Sequence, residues 1–118
     1  MPSPQQQRVF DLIRESPRPL SADEVRTELG FNTVGQATVY RAIRAGVETG
    51  ELKLVEIPGT TPRYEAANLK HHHHFSCRSC NKVFDLDGCP GGLKKLLPEG
   101  FELEDHEILL FGRCDQCA

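Results

Sequence analysis

Cys77-x-x-Cys80 and Cys114-x-x-Cys117 stand 33 residues apart in a chain of 118. Each pair offers two thiolates at the bite of a tetrahedral zinc ion, so one shared metal would close the C-terminal part of the chain into a small unit. A thioredoxin-type redox pair needs only one such motif in a βαβ setting, which the pattern here lacks. The spacing predicts a structural zinc on Cys77, Cys80, Cys114 and Cys117. The alternative is four reduced thiols in a thin core.

The soft ligands also divide the chain. All five histidines and all five cysteines lie from His71 onward. Residues 1–64 carry eight Lys/Arg and eight Asp/Glu, and residues 65–118 carry six and nine. A metal-free module over 1–66, a hinge at 67–70 and a metal-rich module over 71–118 are therefore expected. A net charge of −3 leaves no broadly basic surface, so any nucleic-acid contact must be local. No apolar run approaches the ~18 residues of a membrane span. MPSPQQQRVF lacks the basic start and apolar core of a secretory signal. A cytoplasmic location is expected, where paired thiols stay reduced and available to metal.

In the first module, Val9, Leu12 and Ile13 set a helical stripe over Gln5–Arg14, broken by the SPRP stretch. Ser21 stands three residues before Glu24, a capping-box pattern for a second helix ending at Leu29. Asn32 or Thr33 is the expected cap of a third helix over Gly35–Thr49. Alternation over Glu51–Ile57, the turn PGTTP and the segment Arg63–Ala66 predict a β-hairpin. Three helices followed by a hairpin is the order of a winged helix-turn-helix, whose third helix enters the major groove of DNA. Gln36, Thr38, Tyr40, Arg41 and Arg44 would form its exposed face, with donors for phosphates and base edges. A solvated helix face with two ordinary arginines is the alternative.

The run His71–His74 leads straight into the first cysteine pair. On a strand, His71 and His73 point one way and His72 and His74 the other, supplying two ligands to each of two sites. The alternative is a polar, exposed strand. His106, just before the second pair, is a further histidine to be placed.

ATVYRAI (Ala37–Ile43), HHHHFSCRSCNKVFDL (His71–Leu86) and HEILLFGRCDQC (His106–Cys117) together resemble the ferric-uptake-regulator (Fur) family of bacterial metal-dependent repressors. The likeness covers nearly the whole chain. It implies an α+β protein: an N-terminal winged helix-turn-helix and a small C-terminal α/β dimerisation domain with a four-cysteine zinc site. It also implies a homodimer on a palindromic double-stranded DNA operator controlling metal-uptake genes, with no membrane and no small-molecule substrate as partner. Tyr40 and Arg41 match the DNA-contacting pair. Glu65, His72 and His74 match ligands of a hinge regulatory site, and His71, His73 and His106 match ligands of a second site.

Two departures bear on the metal. The PRPLS stretch lacks the histidine that many members contribute to the hinge site, leaving its fourth position to water or a nearby carboxylate. GCPGGLKKLLP (Gly88–Pro98) lacks the glutamate that commonly completes the second site but contains Cys89. Cys89 is either a small buried hydrophobe or the fourth ligand. Three nitrogens and a sulfur favour zinc, so a zinc sensor is the first expectation and an iron(II) or manganese(II) sensor the second. Outside the family, the residues also permit a zinc hydrolase with Glu65 or Glu107 as base, or a zinc-ribbon interaction module.

Overall fold

Helix α1 (Pro4–Glu15) starts at Ser3, whose hydroxyl accepts from the Gln6 N–H while the Gln6 side chain accepts from the Ser3 N–H. The computed structural model that places it describes residues 3–30 and 34–118 and divides into two compact units, residues 1–70 and 71–118. In the first unit α1, α2 (Ala22–Leu29) and α3 (Gln36–Thr49) converge on Val9, Phe10, Ile13, Val25, Val39, Ala42 and Ile43. Helix α3 begins at Gln36 with Gly35 as its cap and no side-chain capping bond. Asn32 and Thr33, the expected caps, lie outside the described residues.

The Ser21–Glu24 capping box is present and extended by two arginines. Glu24 N–H donates to Ser21 Oγ at 3.1 Å, and Ser21 N–H donates to Glu24 Oε1 at 2.9 Å. Arg18 reaches Glu24 Oε2 at 2.8 Å, and Arg63 Nε lies 3.4 Å from Oε1. Burial pulls the Glu24 pKa upward, but the Ser21 N–H and the two guanidinium groups outweigh it and lower it below the ordinary value of 4.5. A carboxylate depressed on folding adds stability that is complete above the unfolded pKa and fades as pH falls through the folded value. Glu24→Gln is therefore expected to cost about 1–2 kcal/mol at pH 7, and the difference from wild type should vanish in urea melts at acid pH.

Strands β1 (Leu20–Ser21), β2 (Leu52–Val55) and β3 (Arg63–Ala66) form an antiparallel sheet in the order β1-β3-β2. The β2–β3 pair is the wing expected from the alternation, shortened at both ends, with Leu52 opposite Ala66 and Val55 opposite Arg63. Strand β1 is too short to give any periodic signal. Gly46 on α3 is where the helix meets this sheet: a Cβ there would stand 2.6 Å from Leu52 Cδ1 and 3.0 Å from Phe10 Cε1. Gly46→Ala is expected to destabilise the unit by a net ~1–2 kcal/mol in thermal melts, since overpacking outweighs the gain in helix propensity.

The second unit is a three-stranded sheet in the order β5-β4-β6. Strand β4 (His73–Cys77) pairs antiparallel with β5 (Val83–Leu86) and parallel with β6 (Leu109–Gly112). The expected histidine strand starts at His73, two residues later than the run suggests. The helical part of this unit is a single 3-10 turn, Leu93–Leu96, because Pro90, Gly91, Gly92 and Pro98 punctuate the segment too closely for a longer helix. Among the described residues of this unit, the buried apolar side chains are Cys77, Val83 and Cys114. No helix among the described residues is long and apolar enough to cross a membrane.

Candidate metal centres and nucleic-acid face

Helix α3 buries Val39, Ala42 and Ile43 and turns Gln36, Tyr40, Arg41 and Arg44 to solvent. Thr38 is half-buried, and its hydroxyl accepts from Arg41 at 3.5 Å. The five residues of the expected recognition face thus share the outer side of one helix.

The four paired cysteines converge, with their sulfurs within 4.8 Å of one another. Cys77 closes β4 and Cys80 follows one turn later. Asn81 then takes a left-handed φ of 63° and returns its N–H to Cys77 O at 2.9 Å. The second pair closes with the corresponding bond, Ala118 N–H on Cys114 O at 2.8 Å. Cys80 Sγ and Cys114 Sγ are 3.8 Å apart. A tetrahedron with metal–sulfur bonds of about 2.3 Å has edges of about 3.8 Å, so the donor set fits zinc.

The N–H groups of Cys80 and Cys114 both donate to Cys77 Sγ at 3.4 Å, and they hold its pKa down to about 6. The hydrogen bond that the Cys117 thiol donates to Cys114, followed by burial, pushes the Cys117 pKa up to about 12. The protein by itself therefore ionises one thiol readily and opposes the ionisation of another, an imbalance that a dication removes.

Around β4 the histidines separate into two groups. His72 Nε2 and His74 Nε2 are 3.1 Å apart, and each lies 3.4 Å from Asp85 Oδ1. Strand pairing does this, because His74 stands opposite Asp85 in the β4–β5 register. Asp85 is a carboxylate of the kind expected near these histidines, though no residue was named for it. Pairing KVFDL with HHFSC across the cysteine turn was the signal available. Glu65 belongs to the other unit, on β3 opposite Lys53.

On the other side, His71 Nε2 is 3.2 Å from His106 Nε2, and Cys89 Sγ is 2.9 Å from the same His106 nitrogen. Cys89 is exposed rather than packed in a core, which sets aside its reading as a buried hydrophobe. The His73 ring stands edge-on to His71 with centroids 4.6 Å apart, and its centroid is 5.0 Å from that of His106. His73 is only 3% exposed. The Ile108 N–H donates to its Nδ1 at 3.0 Å, and its Nε2 has no hydrogen-bond partner among the described residues. Burial, followed by the neighbouring imidazoles of His71 and His106, lowers its pKa, so the ring is neutral at pH 7. A neutral imidazole accepts at one nitrogen only, so a cation on Nε2 would compete with the Ile108 bond.

Two cysteine pairs clasped together and one histidine run divided across a strand form a specific pattern, and it has a match. The sequence profile of the Ferric uptake regulator family covers residues 2–111. The chain belongs to the ferric uptake regulator family. It is 33% identical over 116 residues to the Ferric uptake regulation protein of Bordetella parapertussis, covering 93% of this chain and 84% of that protein. It is 31% identical over 88 residues to the Transcriptional regulator FurA of Mycobacterium bovis, covering 72% of this chain. That match spans 60% of the length of the mycobacterial protein.

Among solved structures, a zinc-bound manganese uptake regulator superposes with a TM-score of 0.82 at 19% identity, covering 97% of this chain and 90% of that one. FurB from M. tuberculosis, described as a zinc uptake regulator, superposes with a TM-score of 0.52 at 26% identity, covering 97% and 92%. The expected α+β fold is the one these relatives share. Membership in a family of regulators removes the hydrolase and the zinc-ribbon readings.

Proposed function

We propose that this Fur-family chain is a metal-dependent, DNA-binding transcriptional repressor of metal-uptake genes that acts in the cytoplasm as a homodimer on a palindromic operator. One observation carries the reading. Strand β4 ends in a cysteine of the four-sulfur cluster, and the histidines at its start divide between two further ligand groups. A metal captured there bears directly on the sheet of the second unit. Gln36, Thr38, Tyr40, Arg41 and Arg44 would meet the operator. Zinc on the four cysteines would hold the unit together. His72, His74 and Asp85 would hold a regulatory metal.

The homodimer is supported by β6, an edge strand that leaves Leu110 and Phe111 exposed. An apolar strand edge of this kind is normally covered by a partner. Zinc is the favoured signal. The oxygen donor Asp85 beside two imidazoles supports iron(II) or manganese(II) as the second reading for the hinge site.

Gel shifts on an A/T-rich palindrome should show a dimer complex that forms with zinc, disappears with chelator and weakens with salt. Arg41→Ala is expected to weaken it by about 1–3 kcal/mol if the guanidinium reads a base. Unchanged affinity in that variant would remove α3's outer side as the reading face.

A further inference from the structure

We propose that Cys89 supplies a thiolate to the His71, His73 and His106 group, making a three-nitrogen, one-sulfur site that selects a thiophilic dication such as zinc and rejects manganese(II). The inference deepens the regulatory reading above and rests on it only for the consequence in the cell. Its metal chemistry stands on the second unit alone.

Four donors from four places in the chain meet here, within 4.8 Å of one another. His73 comes from β4 and His71 from the residues before it. His106 comes from the extended segment before β6. Cys89 comes from the loop after β5, where left-handed Gly88 (φ 95°) and Gly92 (φ 80°) bracket it and turn the chain back. Two independent features point to a cation. One is the buried His73 Nε2 without a hydrogen-bond partner among the described residues, which a cation would engage in exchange for the Ile108 N–H bond to Nδ1. The other is the approach of an exposed thiol to 2.9 Å from an imidazole nitrogen 17 residues away in sequence. The His71–His106 separation of 3.2 Å is close to the ~3.3 Å edge of a tetrahedron with metal–nitrogen bonds of about 2.05 Å. The sulfur–nitrogen edge of such a site is about 3.5 Å, so a cation would push Cys89 and His106 apart by roughly 0.6 Å.

The donor set decides the class of metal. Manganese(II) and magnesium(II) take oxygen donors, whereas zinc and cobalt(II) accept imidazole and thiolate together. The same metal would join Cys89 to His106 and clasp the segment between them, which carries the exposed Leu96 and Phe101.

The test uses full-length protein that retains zinc on its four cysteines after mild chelation, titrated with cobalt(II). Sulfur ligation gives a near-ultraviolet charge-transfer band that nitrogen and oxygen ligands do not. Wild type is expected to gain a band of one-thiolate intensity, accompanied by protection of residues 90–105 from proteolysis. Cys89→Ser should bind cobalt without the band, and its zinc affinity should fall by about 100-fold or more, above the 10–100-fold typical of losing an outer-shell partner. Cys89→Asp should recover manganese(II) binding. A second cobalt bound with no charge-transfer band, or an unchanged band in Cys89→Ser, overturns the proposal. Loss of metal-dependent DNA binding with the band intact would instead overturn the regulatory reading and leave this site standing.

Discussion

Cys80→Ser is expected to strip the second unit of its zinc and of its fold. The reason is the scarcity of anything else to hold it. Its buried apolar residues are Val83 and two of the zinc-site cysteines, while Leu96, Phe101, Leu110 and Phe111 are exposed. A unit this small cannot stand on such a core. Binding of a structural zinc is worth about 10–16 kcal/mol in small zinc domains, and where no preformed site exists in the unfolded chain that energy is folding energy. Removing one sulfur leaves three ligands and a free position, and the turn 78–80 loses the anchor that ties it to the C-terminal turn. The measurement is zinc content and sedimentation of the variant beside far-ultraviolet circular dichroism. A Cys80→Ser protein that remained folded and dimeric without zinc would refute the structural role assigned to the cluster. Helices α1–α3 should survive, because their core lies within the first unit.

The second large effect concerns the hinge ligands. His74→Ala is expected to move the metal response of operator binding to far higher metal concentration while leaving zinc on the four cysteines. His74 is the member of its group fixed by strand pairing, opposite Asp85, and its Nε2 lies within 3.4 Å of both other ligand atoms in this unit. Its loss removes a nitrogen donor outright, so metal affinity there should fall by at least the ~100-fold upper range seen for outer-shell losses. The concentration of metal needed for half-maximal operator binding should rise accordingly. Asp85→Asn, which keeps an oxygen donor but loses the charge, should give a smaller shift of the same sign. A His74→Ala protein that responded to metal at the wild-type concentration would place the sensing site elsewhere.

Sequence alone determined what depends on local chemistry. Helices α1, α2 and α3, the Ser21–Glu24 capping box and the wing follow from periodicity and turn residues, because each is closed by bonds within a few positions. The cysteine pairs declare a four-sulfur metal cluster because their bite is set by a two-residue spacing. The division of His71 and His73 from His72 and His74 follows from the alternation of an extended backbone, and it holds although β4 itself begins only at His73. Tertiary structure decided whatever depends on register and long closure. Asp85 reaches its histidines only through the β4–β5 pairing, a choice made by two strands together. Strand β1 exists only because β3 offers it an edge. His73 becomes the buried member of its group because β6 lies beside β4 and brings the Ile108 N–H to its ring. Cys89 and His106 meet across a loop whose glycines turn it back, and no periodicity in the sequence encodes that closure.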